Sequence, residues 1–362
     1  MILLSTLIKL FQEDLLEQYQ GRLLPSHYKA LTAMADCRTE QSPLMQAGCE
    51  ACDHQVYFPH SCGHRSCPHC QNLESQQWLE RQLQQSVPAE YFMVTFTLPS
   101  QFRPLAWGHQ RQVYDILIQC AWETLRTFSE NDKQLQGIPG AIAVLHTHAR
   151  NLDYHVHVHF VIPAAAIDRE QGTWRTKARE GDKTYLFNHN ALATVFRAKL
   201  LDALSNAGLS LPKKYPKKWV VGCAYVGSGE PALIYLGRYL YRGVIQEKDI
   251  VACHDGKVTY RWKDSDSGHL RYKTVEGTEL LWKLLQHVLP KRFRRARNFG
   301  FLHPNSKLLT DAIRRILCLS PRKRPPYKKQ RQTMTCPCCG GRMVLIRFRI
   351  PRVEFYRPVA LI

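Results

Sequence analysis

The sequence lacks the two features that would place the protein in or across a membrane. No segment approaches the roughly 18 consecutive apolar residues of a membrane-spanning helix. The N-terminal run MILLSTLIKLFQEDLLEQYQ has no basic leader and only a short apolar stretch before Lys9, whereas a signal peptide has a basic leader and a longer apolar region. We therefore expect an amphipathic helix at the start of an intracellular protein.

Acidic residues are also scarce, and their shortage sets the charge of the chain. The 362 residues include 50 Lys and Arg against 30 Asp and Glu, which gives a formal net charge of +20. Such a chain attracts polyanions through its field and through counterion release, so nucleic acid is the first partner to expect. Hydrophobic residues make up 44% and charged residues 22%, as in folded soluble proteins, which excludes extensive disorder.

Cysteine, in contrast, is abundant. In a reducing compartment, the 13 cysteines are expected to bind metals rather than to form disulfides. Two C-x-x-C pairs separated by 14 residues predict one structural zinc site with four thiolate ligands, namely Cys49, Cys52, Cys67 and Cys70. A second site would use Cys37, His60, Cys62 and His64. Half of a zinc knuckle, with no identified partner, is offered by Cys336, Cys338 and Cys339.

The middle of the chain alternates between strand and helix patterns. In order, these are a strand at 91–98, a helix at 109–128, strands at 140–148 and 155–163, a helix at 190–208 and a strand at 218–226. The order β-α-β-β-α-β is that of a ferredoxin-like split unit. We therefore predict an α+β fold with an antiparallel sheet that helices cover on one face, followed by another helix at 230–244.

Three histidines lie in the strand pattern HVHVHFVIP. Residues two apart in a strand share a face, so His155, His157 and His159 point to the same side. If this strand pairs with the preceding one so that paired residue numbers sum to about 303, His146 lies opposite His157, and His148 joins the same surface. An even sum would separate the two sets. The histidines are either a polar strand face or ligands of a catalytic divalent metal, and their number favours the metal.

Two tyrosines are spaced for one face of the helix EPALIYLGRYLYRGV. Tyr235 and Tyr239 are four residues apart, and Arg238 and Arg242 are close to them in sequence. Tyrosines at this spacing are often only core residues. Beside a metal that polarises a phosphate, however, a phenol becomes a competent nucleophile for transesterification of DNA.

The two patterns together carry a resemblance to a known family. A strand with His-hydrophobic-His and a later helix with Tyr-x-x-x-Tyr resemble the HUH endonucleases. Within them, the chain resembles the rolling-circle transposases of the IS91 type, through four stretches: FTLP, GAIAVLHTHARNLDYHVHVHFVIP, YLGRYLYRGVI and HVLPKRFRRARNFGFL. The resemblance runs from about Cys37 to Leu302. The chain departs from the family at His148 and Arg150, where Trp and Gln are frequent.

The resemblance implies a function for several residues. His157 and His159 match the metal ligands of the HUH motif, which hold magnesium or manganese, and Tyr235 and Tyr239 match the nucleophiles. His146 is our own proposal for the third ligand, with His155 as the alternative. The implied activity is nicking and rejoining of single-stranded DNA at insertion-sequence ends through 5′-phosphotyrosine intermediates, and hairpins are expected at those ends. We expect a cytoplasmic, nucleoid-associated bacterial protein with zinc in its N-terminal domain.

Four consecutive segments are expected on this basis. They are a helix with a Cys- and His-rich zinc-binding domain (1–86), an HUH catalytic domain with the tyrosine helix (87–250), an accessory strand pair, helix and basic segment (251–319), and a basic linker with a C-terminal cysteine motif (320–362). Residues 291–331 contain 14 Lys and Arg against one acidic residue, Asp311. Segments of this kind are attracted to phosphates.

Aromatic residues interleave with these cations, which favours contact with single-stranded DNA. The expected stacking residues are Phe293, Phe299 and Tyr327, and the expected DNA-binding residues are Arg238, Arg242, Lys291, Arg292, Arg294, Arg295 and Arg297. Two other functions remain open at this point. One is a plasmid replication initiator or relaxase with the same chemistry, and the other is a zinc-dependent DNA-binding regulator without catalysis.

Overall fold

The computed structural model describes residues 2–168, 170–177, 186–241, 243–264, 267–319 and 334–352. Within them the helices are α1 (Leu4–Gln18), α2 (Pro25–Ala35), α3 (Asn72–Gln85), α4 (Arg103–Gly108), α5 (Gln110–Asn131), α6 (His189–Asn206), α7 (Glu230–Tyr241), α8 (Gly277–Leu285) and α9 (Lys307–Ile316). The strands are β1 (Leu44–Cys49), β2 (Gln55–Pro59), β3 (Tyr91–Thr97), β4 (Ile138–His148), β5 (Tyr154–Pro163), β6 (Ala165–Ile167), β7 (Trp174–Thr176), β8 (Val221–Tyr225), β9 (Ile250–His254), β10 (Lys257–Lys263), β11 (Leu270–Glu276), β12 (Ala296–Gly300), β13 (Met334–Thr335) and β14 (Arg342–Ile350).

The chain forms two compact units that alternate along the sequence. Unit 1 comprises residues 1–71, 245–285 and 323–362, and unit 2 comprises residues 72–244 and 286–322. This division differs from the four consecutive segments expected from the sequence. The difference arises because strand β14, near the end of the chain, pairs with β1, and helix α8 packs against α1. Both pairings bring distant parts of the chain into unit 1.

Unit 2 is built around an antiparallel sheet. Its strands lie in the order β7-β6-β4-β5-β3-β8, and β12 also pairs with β4. Strands β3, β4, β5 and β8, with α5 and α6 between them, follow the predicted β-α-β-β-α-β order. Strand β12 was not predicted, because the run KRFRRARNFG looks like an exposed basic segment rather than the edge of a sheet.

Helices cover both faces of this sheet, so the prediction of helices on one face is wrong. On one face, Val156, Val158 and Phe160 of β5 pack in a core with α5 and α6. On the other face, Ile142 and Val144 of β4 join a core with α3, α7 and α9. The error has a physical cause: strands β4 and β5 are buried on both sides, so both faces of the sheet need a covering layer.

Unit 1 combines a helical layer with two small sheets. The predicted N-terminal helix is α1, whose Tyr19 ring stacks on Trp282 of α8 with 4.6 Å between ring centroids. The buried Glu247 accepts the backbone N–H of Leu4 at 2.7 Å at the start of α1. In place of the accessory strand pair predicted within residues 251–319, there is a three-stranded sheet in the order β11-β10-β9. The other sheet has the order β13-β14-β1-β2.

No helix among the described residues is long and apolar enough to span a bilayer. The basic linker at 320–333, with Tyr327, and Arg242 of the tyrosine helix lie outside the described residues.

Candidate active site and metal centres

The histidines of β4 and β5 meet on one face of the unit 2 sheet. The two strands pair with a register sum of 303, so that His146 lies opposite His157, which is the odd-sum pairing that brings the two sets of histidines together. Between His146 and His148 the register shifts, and His148 pairs with Tyr154. Ring centroids nevertheless lie 6.1 Å apart between His146 and His148 and 5.0 Å apart between His155 and His157. All five imidazoles therefore form one chain of contacts.

Three of these side chains could hold a metal ion together. The ligand nitrogens of His146, His157 and His159, called the imidazole group below, lie within 4.8 Å of one another. His157 donates its Nδ1–H to the carbonyl oxygen of His155 at 3.0 Å, which leaves Nε2 as an acceptor. The Nδ1 of His159 lies 2.7 Å from the hydroxyl oxygen of Thr95 on β3. Partners on the outer nitrogen orient a metal-binding imidazole in this way.

Two ring nitrogens of this group have no hydrogen-bond partner among the residues that the structure describes. They are the buried Nε2 atoms of His146 and His159. Buried polar atoms are rarely left without a partner, so their arrangement fits the binding of a metal ion. The imidazole group is thus a donor set suited to a divalent cation, and His146 completes it where the sequence left a choice between His146 and His155.

Burial keeps these imidazoles neutral. Burial and, secondarily, the neighbouring His159 and His155 lower the pKa of His157 to about 3, and burial lowers the pKa of His159 to about 4. Burial also lowers the pKa of His146 well below its ordinary value. Neutral imidazole is the form that binds a metal, so the lone pairs are available at physiological pH.

Three contacts within unit 2 fix the helix α7 over this surface. Before the helix begins, Gly229 has a φ of +80°, and a Cβ there would lie 2.7 Å from the ring of Tyr91. In its middle, Gly237 lets Trp78 of α3 approach, and the Ser75 hydroxyl donates to the Gly237 carbonyl at 3.0 Å. Near its end, the Tyr239 carbonyl accepts a hydrogen bond from Arg295 at 3.0 Å.

The fixed helix holds both tyrosines against the imidazole group. Tyr235 and Tyr239 have ring centroids 4.7 Å apart, as expected for an i, i+4 pair. The Tyr239 ring lies 5.1 Å from the His146 ring, and the Tyr235 ring lies 6.2 Å from the His159 ring. Both tyrosines are half-buried. The helix therefore places two phenols next to a candidate metal site and within reach of solvent.

The phenol of Tyr235 is not activated by the protein alone. Burial, followed by the neighbouring Tyr239, raises the pKa of Tyr235 to about 12, whereas the charge of Arg150 acts in the opposite direction. At physiological pH the side chain is therefore a neutral phenol. To act as a nucleophile it needs a partner that stabilises negative charge, which a divalent cation on the imidazole group would provide.

Sequence reasoning missed one histidine beside the site. His287 follows α8 in the chain but belongs to unit 2, where its ring lies 5.2 Å from that of His148. Its Nε2–H donates to the Leu152 carbonyl at 3.1 Å, and its Nδ1 lies 3.3 Å from the Thr147 hydroxyl. The stretch HVLPKRF contains this residue, but its position in the sequence does not indicate that it lies close to β4. His287 anchors the turn between the two histidine strands.

Two of the predicted DNA-binding arginines are engaged within the protein. Arg295 donates to the carbonyls of Leu145 and Tyr239, at 3.1 and 3.0 Å. Arg297 forms an ion pair with Asp115. These side chains hold strand β12 and helix α7 in place, so the structure supports a structural function for them, and contact with DNA stays a prediction.

The other predicted DNA-binding residues that the structure describes are exposed. They are Arg238, Lys291, Arg292 and Arg294. Two of the three aromatic residues expected to stack on bases pack within the protein: Phe293 is buried against Tyr114, and Phe299 stacks on Trp122 with centroids 5.0 Å apart. Their alternation with basic residues therefore reflects the two sides of a strand and a loop that pack on the core.

Eight cysteines of unit 1 form two groups of four, which differ from the predicted groups. The local thiol group consists of Cys37, Cys62, Cys67 and Cys70. Its Sγ atoms lie 3.7 Å apart between Cys37 and Cys70 and 3.6 Å apart between Cys62 and Cys70. Thus Cys67 and Cys70 lie next to Cys37 and Cys62, and not next to the other C-x-x-C pair.

The other C-x-x-C pair, Cys49 and Cys52, lies next to the C-terminal cysteine motif. This discontinuous thiol group consists of Cys49, Cys52, Cys336 and Cys339. The predicted four-thiol site and the predicted participation of His60 and His64 are therefore wrong as groupings. His60 contacts the Ser61 carbonyl instead, and the Nδ1 of His64 accepts the backbone N–H of Ser66 at 3.2 Å. The pairing of β14 with β1 brings the distant cysteines together, and local sequence patterns do not predict this pairing.

Two family models match the chain. The model described as "Putative transposase" matches residues 140–308, which include the histidine strands and the tyrosine helix. The model of a transposase zinc-binding domain matches residues 7–98, which include the whole local thiol group. Together they define a class of transposases that carry a zinc-binding domain.

Similar proteins have corresponding descriptions. The "Putative transposase y4qJ" of Sinorhizobium fredii is 32% identical over 297 residues, which cover 76% of this chain and 74% of that protein. The transposase for insertion sequence element IS801 of Pseudomonas savastanoi pv. phaseolicola is 26% identical over 359 residues, which cover 90% and 84%. The chain belongs to the IS91-type family of rolling-circle transposases.

Among solved structures, the conjugative relaxase TrwC in complex with oriT DNA aligns with 63% of this chain and 72% of its own. The TM-score is 0.25 and the sequence identity 15%, a similarity too weak to establish a shared fold.

Proposed function

We propose that this transposase nicks and rejoins single-stranded DNA at the ends of its insertion sequence, with Tyr235 and Tyr239 as nucleophiles in an HUH-type active site. One observation carries the proposal: the rings of Tyr239 and His146 lie 5.1 Å apart, next to a group of three imidazoles that could hold a metal. Phosphate transfer to a tyrosine requires a phenol and a cation on the same phosphate. The site has the phenols and the cation ligands together.

The imidazole group would hold the divalent cation. Magnesium or manganese bound there would polarise the scissile phosphate and stabilise the charge that develops on it. Magnesium prefers oxygen ligands, whereas imidazole also suits manganese. With three nitrogen donors from His146, His157 and His159, manganese is the better match.

The tyrosines carry out the covalent step. The phenol oxygen of one tyrosine attacks the phosphorus and forms a new O–P bond, while the bond from the phosphorus to the 3′ oxygen breaks and the bond to the 5′ oxygen is kept. The phenol loses its proton and the departing 3′ oxygen gains one to become a hydroxyl, so the reaction exchanges one phosphate ester for another without hydrolysis. Because Tyr235 and Tyr239 stand side by side on α7, a second strand can be attacked before the first ester is resolved.

Exposed cations are suited to guide the DNA. Arg238 lies between the two tyrosines in sequence and is exposed, and Lys291, Arg292 and Arg294 are exposed in the same unit. Cations of this kind bind phosphates regardless of base sequence. Single-stranded DNA is favoured because a tyrosine on a helix needs a phosphate that is free to fit the metal site. We also propose that the element ends carry hairpins.

A covalent-adduct assay tests the proposal. The full chain is incubated with manganese and a single-stranded oligonucleotide carrying an element end, and the products are boiled in detergent and separated by size. We expect a protein–DNA adduct from the native chain and none from the double variant Y235F/Y239F. An adduct that persists in the double variant would overturn the assignment of the nucleophiles.

The position of the nick separates this function from its alternatives. Cleavage at the element end supports a transposase reaction, whereas cleavage only at a plasmid origin would identify a replication initiator or relaxase. Binding of the oligonucleotide without any cleavage in manganese would indicate a DNA-binding regulator and contradict the proposal.

A further inference from the structure

We propose that the discontinuous thiol group, Cys49, Cys52, Cys336 and Cys339, binds a second zinc ion, and that this ion fastens the C-terminal residues 334–352 to strand β1. The match to the transposase zinc-binding domain ends at residue 98, and the other family match ends at residue 308. Neither match includes Cys336 or Cys339. The proposal does not depend on the catalytic function, because all four cysteines belong to unit 1.

The distances between the sulfur atoms are those of a tetrahedral zinc site. The Sγ atoms lie 3.5 Å apart between Cys49 and Cys339, 3.7 Å between Cys52 and Cys336, and 3.5 Å between Cys52 and Cys339. Four thiolates at about 2.3 Å from one zinc ion would be separated by about 3.8 Å. A disulfide needs sulfur atoms about 2.05 Å apart, so these cysteines are not arranged as disulfides. All four are free thiols in the structure.

The backbone around the thiols is shaped to let them converge. A Cβ on Gly341 would lie 3.1 Å from the Sγ of Cys339 and 3.2 Å from the Sγ of Cys49, so only glycine leaves room for both sulfurs. The backbone N–H of Ala51 points to the Sγ of Cys49 at 3.3 Å. The turn itself is closed by the N–H of Gly340, which donates to the Cys336 carbonyl at 2.9 Å.

The hydrophobic support of this sheet is too small to hold the C-terminal strand by itself. The core cluster beside the four thiols contains only three buried residues among those described, Ala47, Cys336 and Met343. Most residues of β14 are exposed or half-buried. Small sheets with little apolar burial usually need a metal or a disulfide for stability. A zinc ion shared by β1 and the C-terminal turn would supply that support.

The ion would therefore connect cysteines that are 284 residues apart in the chain, as between Cys52 and Cys336. Removal of the ion should leave the β1–β14 pairing dependent on backbone hydrogen bonds and on a few side-chain contacts, such as the bond from Arg352 to the Ser42 carbonyl. We expect residues 334–352 to detach from β1 far more readily in that state. The second zinc ion would thus hold residues 334–352 against β1.

Zinc content of the full chain tests the site. We expect two zinc ions per native chain, measured by elemental mass spectrometry after gel filtration, and one in each of the variants C52S and C339S. The variant C338S is the matched control, because Cys338 lies in the same turn but outside the thiol group. It should keep two ions. The variant C67S should also lose one ion, but from the local thiol group.

Hydrogen exchange separates the proposed attachment from simple misfolding. In C339S, the amides of β14 and of Glu50, which bonds to the Arg342 carbonyl, should lose protection, whereas the amides of α1 and α8 in the same unit keep theirs. In C338S, protection of β14 should match the native chain. One zinc ion in the native chain, two in C339S, or unchanged β14 protection in a C339S protein that has lost one ion would each overturn the proposal.

Discussion

The imidazole group of unit 2 and the thiol groups of unit 1 show two different ways of building a metal site. The imidazole group uses three neutral side chains on two neighbouring strands, with phenols beside it. Each thiol group uses four cysteines whose sulfur atoms surround one point. A site closed by four thiolates has no position left for substrate, whereas three imidazoles leave positions open. The chemistry of the ligands thus separates the proposed structural zinc sites from the proposed catalytic metal site.

Metal removal should have the largest effect and should act on one site only. Brief treatment with a chelator such as EDTA should abolish adduct formation, because the three-ligand imidazole site releases its ion more readily than four thiolates do. Addition of manganese should restore the adduct, and elemental analysis should show that zinc stayed bound throughout. If the activity returned only with added zinc, the assignment of separate catalytic and structural metals would be wrong.

Loss of one imidazole ligand should be nearly as severe. The variant H159A should form the adduct about a thousandfold more slowly, since a polarising metal is worth several kcal/mol of transition-state stabilisation. The rate is measured with the single-stranded oligonucleotide under single-turnover conditions. H155A is the matched control, because the His157 Nδ1–H bonds the backbone carbonyl of His155 and not its ring. Equal losses in both variants would contradict the ligand set.

Loss of the Thr95 hydroxyl next to His159 should reduce activity less than loss of His159 itself. In T95V, the hydroxyl that lies 2.7 Å from the Nδ1 of His159 is gone, so we expect 10- to 100-fold weaker manganese affinity, in accord with about that cost for orienting partners elsewhere. The manganese concentration for half-maximal adduct formation measures this. T95S keeps the hydroxyl and should stay near the native value. The same weakening in T95S would show that packing, not the hydrogen bond, is responsible.

Two neighbouring arginines should give the smallest and most distinct effects. R295M loses the hydrogen bonds to Leu145 and Tyr239, so the free energy of unfolding should fall by about 1–3 kcal/mol in denaturant titrations. R294M removes an exposed cation, so stability should stay within about 0.5 kcal/mol of the native value while DNA binding weakens and depends less on salt. If R294M lowered stability and R295M instead weakened DNA binding, the functions assigned to the two arginines would be wrong.

The same comparison shows how far the sequence alone could lead. The period of two in HVHVHFVIP and the short connection between β4 and β5 were enough to propose the His146–His157 pair, which the register confirms. The i, i+4 spacing likewise placed both tyrosines on one helix face. Local periodicity therefore predicted most of the candidate active site.

Long-range pairing decided what the sequence did not predict. The two C-x-x-C pairs are close in sequence, yet each has different partners, because β14 pairs with β1 and carries Cys336 and Cys339 to Cys49 and Cys52. Strand β12 pairs with β4 although it lies in a basic stretch, because only Arg297 among its five residues is charged and all five are half-buried. Such pairings depend on tertiary packing, which charge and spacing do not reveal.

The most direct test of the central claim is to locate the DNA on the protein. Trypsin cleaves after Arg238, so Tyr235 and Tyr239 fall into different peptides, residues 219–238 and 239–242. After nuclease trimming of the adduct, mass spectrometry should find a nucleotide on Tyr235 or Tyr239, and none on Tyr225 or Tyr241, which share those peptides. A nucleotide on any other residue would contradict the proposed active site.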